Sequence, residues 1–499
     1  MDLNIVFPHQ HPKWEALKES LEGLVEVETI TEAWTHLAHI HQIYNDLPKT
    51  DVIKRQSVFA GLLQFMSQRA EDEEIMTFVQ KILPTIAKLV LDCPKIQPDP
   101  PLEIVQKQQD KTVTLSRHFV ACIVACGFLC LFEDLEEKHD LTMPSVNFSN
   151  FFRIKDNDAK LRMILNYFTR LSDGIPEGHI TFRRVVLDDA QKLTADKILQ
   201  SNKDLCALFV DDDMTIEDGG KNVLQVDFAN EYLGGGVLYG GNVQEEIRFS
   251  VCPELLSSML FMESMADNEA VIIHGFEQFS HYAGYGGSLQ FAGNCDDSKA
   301  KGDNGEFLTT LCAIDAVPYS TMGTLSQFKI ENVLRDVNKA YIGFLQPYAQ
   351  KWKDDLPTLR DIKSACELPP DKIRTVMSGN WGCGVFGGDA KLKSLLQWIA
   401  ASQAGCPALV YCSFHDENIA GLEEMKSFIV DHHLNVSDLM KLVMQYGEEL
   451  YKKEDEMEDD IFEFIVHKFS PEDRDADSSE NRDDGVEDMV MSQQEDDRT

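Results

Sequence analysis

The chain has 499 residues, of which 43% are hydrophobic and 9% aromatic, a composition typical of a folded protein with two or three domains. Its formal net charge is −38 at pH 7. Because general binding to DNA or RNA needs a basic surface that displaces counterions, this charge argues against direct nucleic-acid binding. A polyanionic substrate would have to be held by backbone N–H groups.

The sequence also bears on the cellular compartment and on whether the chain associates with a membrane. The N-terminal MDLNIVFPHQHPKW lacks the pattern of a secretory signal. The longest apolar run, His118–Phe132, is too short to span a bilayer, so we predict a buried helix and no membrane association. Cys122, Cys126 and Cys130 form one stripe of that helix, and we interpret them as packing residues rather than metal ligands. Twelve cysteines without CxxC pairs favour a reducing compartment, so we expect a nuclear or cytoplasmic location.

The first 200 residues show mostly helical periodicity, which predicts an all-helical accessory domain over residues 1–200. The clearest helical runs are Trp34–Ile43, Val58–Phe65, Glu74–Leu91 and Leu161–Leu171. Within this half, Pro94–Pro101 is expected to be a rigid connector. His36, His39 and His41 do not share one helical face, so we interpret them as structural.

After residue 200 the pattern changes to short β-rich runs that alternate with helices, which predicts an α/β domain with a mixed or parallel sheet over residues 201–453. The predicted strands are Leu205–Val210, Val223–Phe228, Ala270–Phe276, Thr310–Ala316, Ile373–Ser378 and Ala408–Phe414. The predicted helices are Pro253–Met262, Thr324–Leu345 and Ala390–Ala401. Residues 454–499 are strongly acidic and are predicted to be a disordered tail, apart from a short helix at Ile461–Phe469.

A glycine-rich stretch, VDFANEYLGGGVLYGGNVQEEIRF over Val226–Phe249, directly follows a predicted strand, where ligand sites of α/β folds lie. Three successive glycines are expected where main chain approaches a ligand closely. A glycine loop or a pair of glutamates is ordinary by itself, but their combination with upstream acid and amide groups predicts a site that performs chemistry. The residues concerned are Asp227, Asn230, Gly234, Gly235, Gly236, Gln244, Glu245 and Glu246.

A second glycine-rich loop, NWGCGVFGGD over Asn380–Asp389, lies between a predicted strand and a predicted helix. Free N–H groups and the positive end of a helix form an anion site, so a diphosphate-binding loop is predicted; a purely structural turn is the alternative. The spacing also matches GxGxxG of dinucleotide-binding folds, but the Lys-Ser/Thr of a nucleotide triphosphatase is missing. Between the two loops, Tyr282 and Tyr285 could cover a base or sugar, or could simply pack on the surface.

The spacing GGG, seven residues, QEE resembles the signature of the poly(ADP-ribose) glycohydrolases, and VDFAN and NWGCGVFGGD extend the likeness from about Leu102 to Phe414. This resemblance implies a macrodomain, a mixed-sheet α/β sandwich, preceded by a helical accessory domain. It implies hydrolysis of the ribose–ribose glycosidic bonds of poly(ADP-ribose), with release of ADP-ribose. It further implies ADP-ribosylated proteins as partners, a monomer, and a role in the DNA damage response.

The resemblance also implies residue roles. The acidic catalytic set corresponds to Asp227, Glu245 and Glu246, with Glu246 as general acid and then base, and no metal or cofactor is needed. Because adjacent side chains usually point in different directions, we expect Glu245 to hold ribose hydroxyls and Asp227 to orient the site. The implied ligand contacts are Ile216, Glu217, Asn230, Gly234, Gly235, Gly236, Gln244, Tyr285, Asn380, Trp381, Gly382, Cys383, Gly384, Val385, Phe386 and Phe414.

Two other functions stay open from the sequence alone. A macrodomain that binds ADP-ribose without cutting it would need no extra acids, and two more carboxylates would repel a diphosphate. A dehydrogenase that uses NAD would explain GxGxxG but not QEE.

Overall fold

A computed structural model gives the fold of residues 4–45, 58–134, 141–154, 157–219, 223–297, 301, 307–345, 361–366, 375–452 and 459–469. Most of the predicted acidic tail lies outside these described residues. The division into three segments, with boundaries near residues 200 and 453, stays a prediction.

The first part of the chain is rich in helices, as predicted. They are α1 Trp14–Val25, α2 Ile30–Tyr44, α3 Ala60–Gln68, α4 Asp72–Thr77, α5 Leu83–Ile96, α6 Arg117–Phe128 and α7 Asp158–Asp173. A capping box starts α2, where Thr29 accepts from Glu32 N and the Glu32 carboxylate accepts from Thr29 N. A π-helical segment, Phe78–Ile82, joins α4 to α5. Pro94 lies inside α5, so the predicted rigid connector begins only after Ile96.

The helix predicted from the longest apolar run is confirmed, because every residue of α6 except His118 is buried. Cys122 and Cys126 pack in α6 as small side chains, and Cys122 donates its thiol to Leu89 O at 2.9 Å. Cys130, which was predicted on the same helical stripe, lies two residues after the end of α6 and is also buried. Within the part of the chain that the structure describes, no group of three or more His, Cys, Asp or Glu could hold a metal ion. None of the described helices is long and apolar enough to cross a membrane.

An eight-stranded mixed sheet forms the centre of the fold, and a separate hairpin lies beside it. The strands are β1 Lys111–Ser116, β2 His179–Val186, β3 Ala207–Asp211, β4 Val223–Ala229, β5 Glu269–His274, β6 Ser280–Ala283, β7 Gln290–Asn294, β8 Thr310–Asp315, β9 Thr375–Gly379 and β10 Ala408–Cys412. The sheet order is β1-β2-β5-β8-β4-β9-β10-β3, and β6 pairs with β7. From β8 to β3 the neighbours are parallel, while β1, β2, β5 and β8 pair antiparallel.

Two strands of this sheet, β1 and β2, fall within the first 200 residues, where only helices were predicted. They lie at one edge of the sheet, β1 outermost and β2 beside it, and more buried side chains alternate with less buried ones, so only part of each strand is apolar. Such a pattern is easily lost between long helical runs. The buried Arg184 of β2 pairs with Glu269 of β5, which fixes this extension to the sheet.

From residue 195 onward, the remaining helices lie between or after the strands of the sheet. They are α8 Ala195–Leu199, α9 Gln244–Val251, α10 Tyr319–Met322, α11 Ile330–Phe344, α12 Ile362–Cys366, α13 Ala390–Ala404, α14 Leu422–Asp431, α15 Val436–Lys452 and α16 Ile461–His467. The predicted helix at 253–262 is a 3-10 helix, Pro253–Leu260. The predicted helix at 324–345 starts with a 3-10 turn before α11. The short helix predicted near the acidic tail is confirmed as α16, and its apolar face is buried.

Helices cover both faces of the sheet, which confirms the α/β sandwich. On β5, Val271 and Ile273 belong to a core shared with the helical unit, whereas Ala270 belongs to a second core with α11, α13 and α15. Alternate residues of one strand thus face two layers. The carboxyl ends of β4, β9 and β10 are left to loops.

Candidate active site

A cleft of about 1710 Å³ opens at the carboxyl ends of β4, β9 and β10. Its walls are the loop between β4 and α9, the 3-10 turn Ile216–Asp218, the loop after β6, the loop after β9 and the loop after β10. This is the edge of the sheet at which the glycine-rich stretches were predicted to meet.

Most of the predicted site residues line this cleft. Those that do are Ile216, Glu217, Asn230, Gln244, Glu245, Glu246, Tyr285, Asn380, Gly382, Cys383, Gly384, Val385, Phe386 and Phe414. The other five predicted residues are not part of the cleft lining: Asp227, Gly234, Gly235, Gly236 and Trp381. The side chain of Trp381 faces the core, because it is fully buried and donates Nε1–H to Ile314 O at 2.9 Å.

The loop between β4 and α9 holds the carboxylate of Glu245 with two main-chain donors. Asn230 N donates to Glu245 Oε2 at 2.8 Å, and Gly234 N donates to Oε1 at 2.6 Å. Gly234 and Gly235 have φ values of 89° and 50°, a region that favours glycine. Both oxygens of Glu245 therefore have fixed positions.

The carboxylate of Glu246 is held in the same way. Gly236 N donates to Oε1 at 2.8 Å and Val243 N to Oε2 at 2.9 Å. A Cβ added to Gly241 would lie 2.6 Å from the carboxyl carbon of Glu246. Gly234 and Gly236 thus bring main chain to the two glutamates, and the close approach of this stretch to a ligand stays a prediction.

The two glutamates converge, although adjacent side chains were expected to point apart. A Cβ on Gly235 would lie 2.5 Å from Glu245 Oε2 and 2.8 Å from Glu246 Oε1. The reason is their place in the first turn of α9, where both side chains fold back onto free N–H groups of the preceding loop. The convergence places two carboxyl groups together at the cleft.

A third acid, Asp227, lies fully buried behind this pair, and neither of its oxygens has a hydrogen-bond partner among the described residues. Burial raises the pKa of Asp227 to about 8; Arg248 opposes this rise, and Glu246 and Glu217 add to it. Burial, Asp227 and Glu246 also raise the pKa of Glu245 well above its ordinary value. The buried carboxyl groups of Asp227 and Glu245 therefore retain protons at neutral pH.

Asp227→Asn should raise thermal stability more at pH 8 than at pH 5. Because the pKa of Asp227 is about 8 in the folded chain against 3.8 ordinarily, the stabilising effect of its proton is complete below pH 3.8 and is lost as the pH rises to about 8. The loss is about 1.4 kcal/mol per pH unit within that window, and the asparagine avoids it. Melting temperatures of both proteins at pH 5 and 8 measure the effect, and an equal difference at both pH values would contradict it.

Asp267→Asn is the control with the opposite sign. Burial raises the pKa of Asp267, but Arg335 lowers it, and the net shift is downward. The aspartate therefore stabilises the fold at neutral pH, so this variant should lose stability at pH 8.

Two cations at the site were not predicted. Arg248 lies three residues after Glu245 on α9, is buried, bonds Gln225 and lies 3.8 Å from Glu217. Its helical spacing from the glutamates could have indicated it. Lys160 reaches the site from α7, and no local pattern links it to the signature stretch.

Hydrogen bonds within the protein also hold Gln244 and the loop that carries Tyr285. Gln244 accepts from Phe228 N at 2.8 Å and donates to Val226 O at 3.2 Å, which fixes its amide beside β4. The ring of Tyr285 is exposed at the cleft, and its loop is tied to the one before α9 by a 3.0 Å bond from Gly286 N to Asn242 O.

The loop after β9 offers main chain to the cleft, while the helix after it does not. Asp389 caps α13 by accepting from Leu392 N at 2.8 Å, and Asp389 N donates to Gln327 at 2.6 Å. The prediction that the helix N-terminus itself binds an anion is therefore not supported. Within the described residues, no hydrogen-bond partner is found for the N–H groups of Gly382, Gly384, Val385 and Phe386.

Phe414 projects into the cleft from a strained backbone. It is 55% exposed and has φ 55°, and His415 next to it has φ 53°. Non-glycine residues in this region cost about 1–3 kcal/mol and are concentrated at functional sites. An exposed aromatic ring that is kept in this conformation indicates ligand contact.

Phe414→Gly should therefore keep the stability of the chain within about 1 kcal/mol, because relief of strain offsets the flexibility that glycine adds. It should weaken binding of ADP-ribose, the ligand that the sequence resemblance implies, by about 10-fold or more through lost stacking. His415→Gly relieves the same strain outside the cleft and should leave affinity unchanged. Calorimetric titration of both variants is the measurement, and equal affinities would contradict a contact at Phe414.

Comparison with known protein families gives two matches. The family model described as "Poly (ADP-ribose) glycohydrolase (PARG), Macro domain fold" matches residues 195–421. The model described as "Poly (ADP-ribose) glycohydrolase (PARG), helical domain" matches residues 70–184. The two matches cover the sheet with its cleft and most of the helical unit.

Similar curated proteins agree with these models. Poly(ADP-ribose) glycohydrolase 1 of Arabidopsis thaliana is 33% identical over 460 residues, which cover 79% of this chain and 82% of that protein. Probable poly(ADP-ribose) glycohydrolase 2 of the same plant is 32% identical over 427 residues, which cover 77% and 81%. Poly(ADP-ribose) glycohydrolase 2 of Caenorhabditis elegans is 35% identical over 300 residues, which cover 58% and 57%.

Proposed function

The chain belongs to the poly(ADP-ribose) glycohydrolase family, and we propose that Glu246 is the general acid and base with which it hydrolyses poly(ADP-ribose) to ADP-ribose. Of the three clustered acids, Glu246 is 7% exposed, Glu245 2% and Asp227 0%. Glu246 thus has the most open path to a bound sugar. The observation that supports this function best is the pair of carboxylates held at the cleft by main-chain N–H groups.

The reaction needs a proton at the leaving oxygen and then a base for water. In the proposed cycle, protonated Glu246 gives its proton to the ribose oxygen as the glycosidic C–O bond breaks. The resulting carboxylate then takes a proton from a water molecule, whose oxygen forms the new bond to the anomeric carbon. Glu246 is protonated again at the end, so protons balance over one turnover.

Glu245 and Asp227 are proposed to support this cycle. The oxygens of Glu245 are fixed by Asn230 N and Gly234 N, so they can accept hydrogen bonds from the hydroxyl groups of a ribose at defined positions. Asp227 lies behind the pair and raises the pKa of Glu245. Burial thus keeps Asp227 and Glu245 protonated at a pH where isolated carboxylates would be ionised.

The ligand is proposed to be held without basic side chains at its diphosphate. Unpartnered N–H groups of the described loop, between Gly382 and Phe386, can donate to phosphate oxygens. The aromatic rings of Tyr285 and Phe414 line the same cleft and can cover the sugar and base. This solution suits a chain with a net charge of −38.

Release of ADP-ribose from purified polymer tests the function directly. The full chain should convert poly(ADP-ribose) to ADP-ribose, measured by chromatography of the products. Retention of intact polymer on the immobilised chain, with no release, would support a binding module instead. A dehydrogenase would change pyridine-nucleotide absorbance, and none is expected here.

The cellular setting is part of the proposal. No disulfide joins the twelve cysteines, all of which lie among the described residues, and this suits the nucleus or the cytoplasm. The strongly negative charge supports action on ADP-ribosylated proteins without direct binding to DNA. A monomer and a role in the DNA damage response complete the proposal; light scattering tests the first and localisation in damaged cells the second.

A further inference from the structure

Lys160 of α7 is a buried cation whose ammonium group is directed at the loop between β4 and α9. Its exposed fraction is 1%. Lys160 Nζ donates to Val237 O at 2.9 Å, to Tyr239 O at 3.1 Å and to Gly241 O at 2.6 Å. Three carbonyls use all three protons of an ammonium group, so this lysine is fully engaged by one short segment.

Asn157, one turn earlier, adds to the same contact. Its Nδ2 donates to Tyr239 O at 3.1 Å and to Phe151 O at 3.4 Å. Lys160 Nζ also lies 5.7 Å from the centre of the Phe151 ring. The helical unit thus holds the loop from the side opposite to the cleft.

The segment held by Lys160 is the one that encloses Glu246. Gly236, next to Val237, donates its N–H to Glu246 Oε1 at 2.8 Å. Gly241 N donates to Gly236 O at 3.1 Å, and Gly241 has no room for a Cβ beside the Glu246 carboxyl. A movement of the held carbonyls would therefore shift the donors of Glu246.

Charge adds to this geometric link. Burial lowers the pKa of Lys160 to about 8, and the facing carboxylate of Glu246 acts in the opposite direction. Glu246 on α9 is the charged group that interacts with the ammonium, since the loop offers carbonyls and the 3-10 turn at Phe151 offers a ring. An ammonium ion is buried at a high cost, which the three carbonyls and this carboxylate offset.

We propose that Lys160 is a positioning residue for catalysis: from the helical unit it holds the carbonyls of residues 237–241 and so fixes the carboxylate of Glu246 in the cleft. This inference rests on the role proposed for Glu246. It assigns the helical unit a part in the reaction, because the sheet domain does not supply this cation itself.

Lys160→Met in the full chain is the test, since methionine fills a similar space without charge or donors. The kcat for poly(ADP-ribose) should fall by about 100-fold, the loss expected when a reacting group is misplaced by about 1 Å. The Kd for ADP-ribose should stay within about threefold, because adenine and diphosphate contacts lie elsewhere in the cleft. The control is Lys197→Met, which removes a lysine that donates to Ala190 O at 2.6 Å and Lys192 O at 2.8 Å, away from the cleft.

Each result of the Lys160→Met test either supports or overturns the inference. Unchanged kcat in Lys160→Met, or a loss of kcat matched by an equal loss of ADP-ribose affinity, overturns the inference. If that variant does not fold, Asn157→Ala decides: reduced kcat with unchanged Kd supports the inference, and unchanged kcat overturns it. An inactive wild-type chain would instead contradict the proposed function.

Discussion

Glu246→Gln should lower kcat for poly(ADP-ribose) by about 1000-fold, within the range of general acid–base catalysis, while ADP-ribose still binds with a Kd within about threefold of wild type. The amide cannot give a proton to the departing ribose oxygen or take one from water. The proposed diphosphate and aromatic contacts lie on other loops, so we expect affinity to be retained. Single-turnover release of ADP-ribose, together with calorimetric titration of the ligand, separates the two quantities.

A matched control exists because Glu246 is also a capping residue of α9. Glu32 occupies the same position in the capping box of α2, where its carboxylate accepts from Thr29 N at 3.1 Å. Glu32→Gln makes the same substitution in an equivalent helix cap far from the cleft and should leave kcat unchanged. If Glu246→Gln turns over within about threefold of wild type, the proton transfer belongs to another group, and Glu245 is the next candidate.

Gly235→Ala should lower kcat by about 100-fold or more with a smaller effect on folding. Its methyl group would lie 2.5 Å from Glu245 Oε2 and 2.8 Å from Glu246 Oε1. The atoms that must move are the ends of side chains rather than backbone, so the fold accepts the change, but those ends are the carboxyl groups for which we propose roles in the reaction. The φ of 50° adds about 1–2 kcal/mol of strain for an alanine.

Gly240→Ala is the comparison within the same loop. A Cβ there meets nothing within 4 Å, and the residue is not in the left-handed region. The kcat of Gly240→Ala should stay within about threefold of wild type. Both alanine variants should show a cooperative thermal unfolding transition. Equal activities of the two alanine variants would show that the carboxylates are free to move without loss of catalysis.

The sequence indicated the chemistry better than the geometry. Glu245, Glu246 and the glycines are close together along the chain, so their spacing alone pointed to a site. The rule that adjacent side chains point in different directions did not predict the direction of the two glutamates. That direction depends on which N–H groups of the preceding loop are left without partners. Only the folded loop between β4 and α9 fixes that.

Interactions over long sequence distances explain the other differences. Lys160 meets Gly241 across 81 positions, and no periodicity connects them. Strands β1 and β2 were missed because their β character depends on the pairing of β1 with β2 and of β2 with β5, partners that lie far along the chain. By contrast, the buried helix α6 and the strand β4 have strong local patterns, and both were predicted.

The way in which the loop before α9 binds its own glutamates has an energetic consequence. Because Asn230, Gly234, Gly236 and Val243 already donate to these carboxylates, the entropy lost in ordering them is lost during folding and not during the encounter with substrate. Binding energy from the adenosine half of the polymer is then free to distort the scissile ribose. The site is thereby preorganised for the transition state, with little reorganisation left for the chemical step.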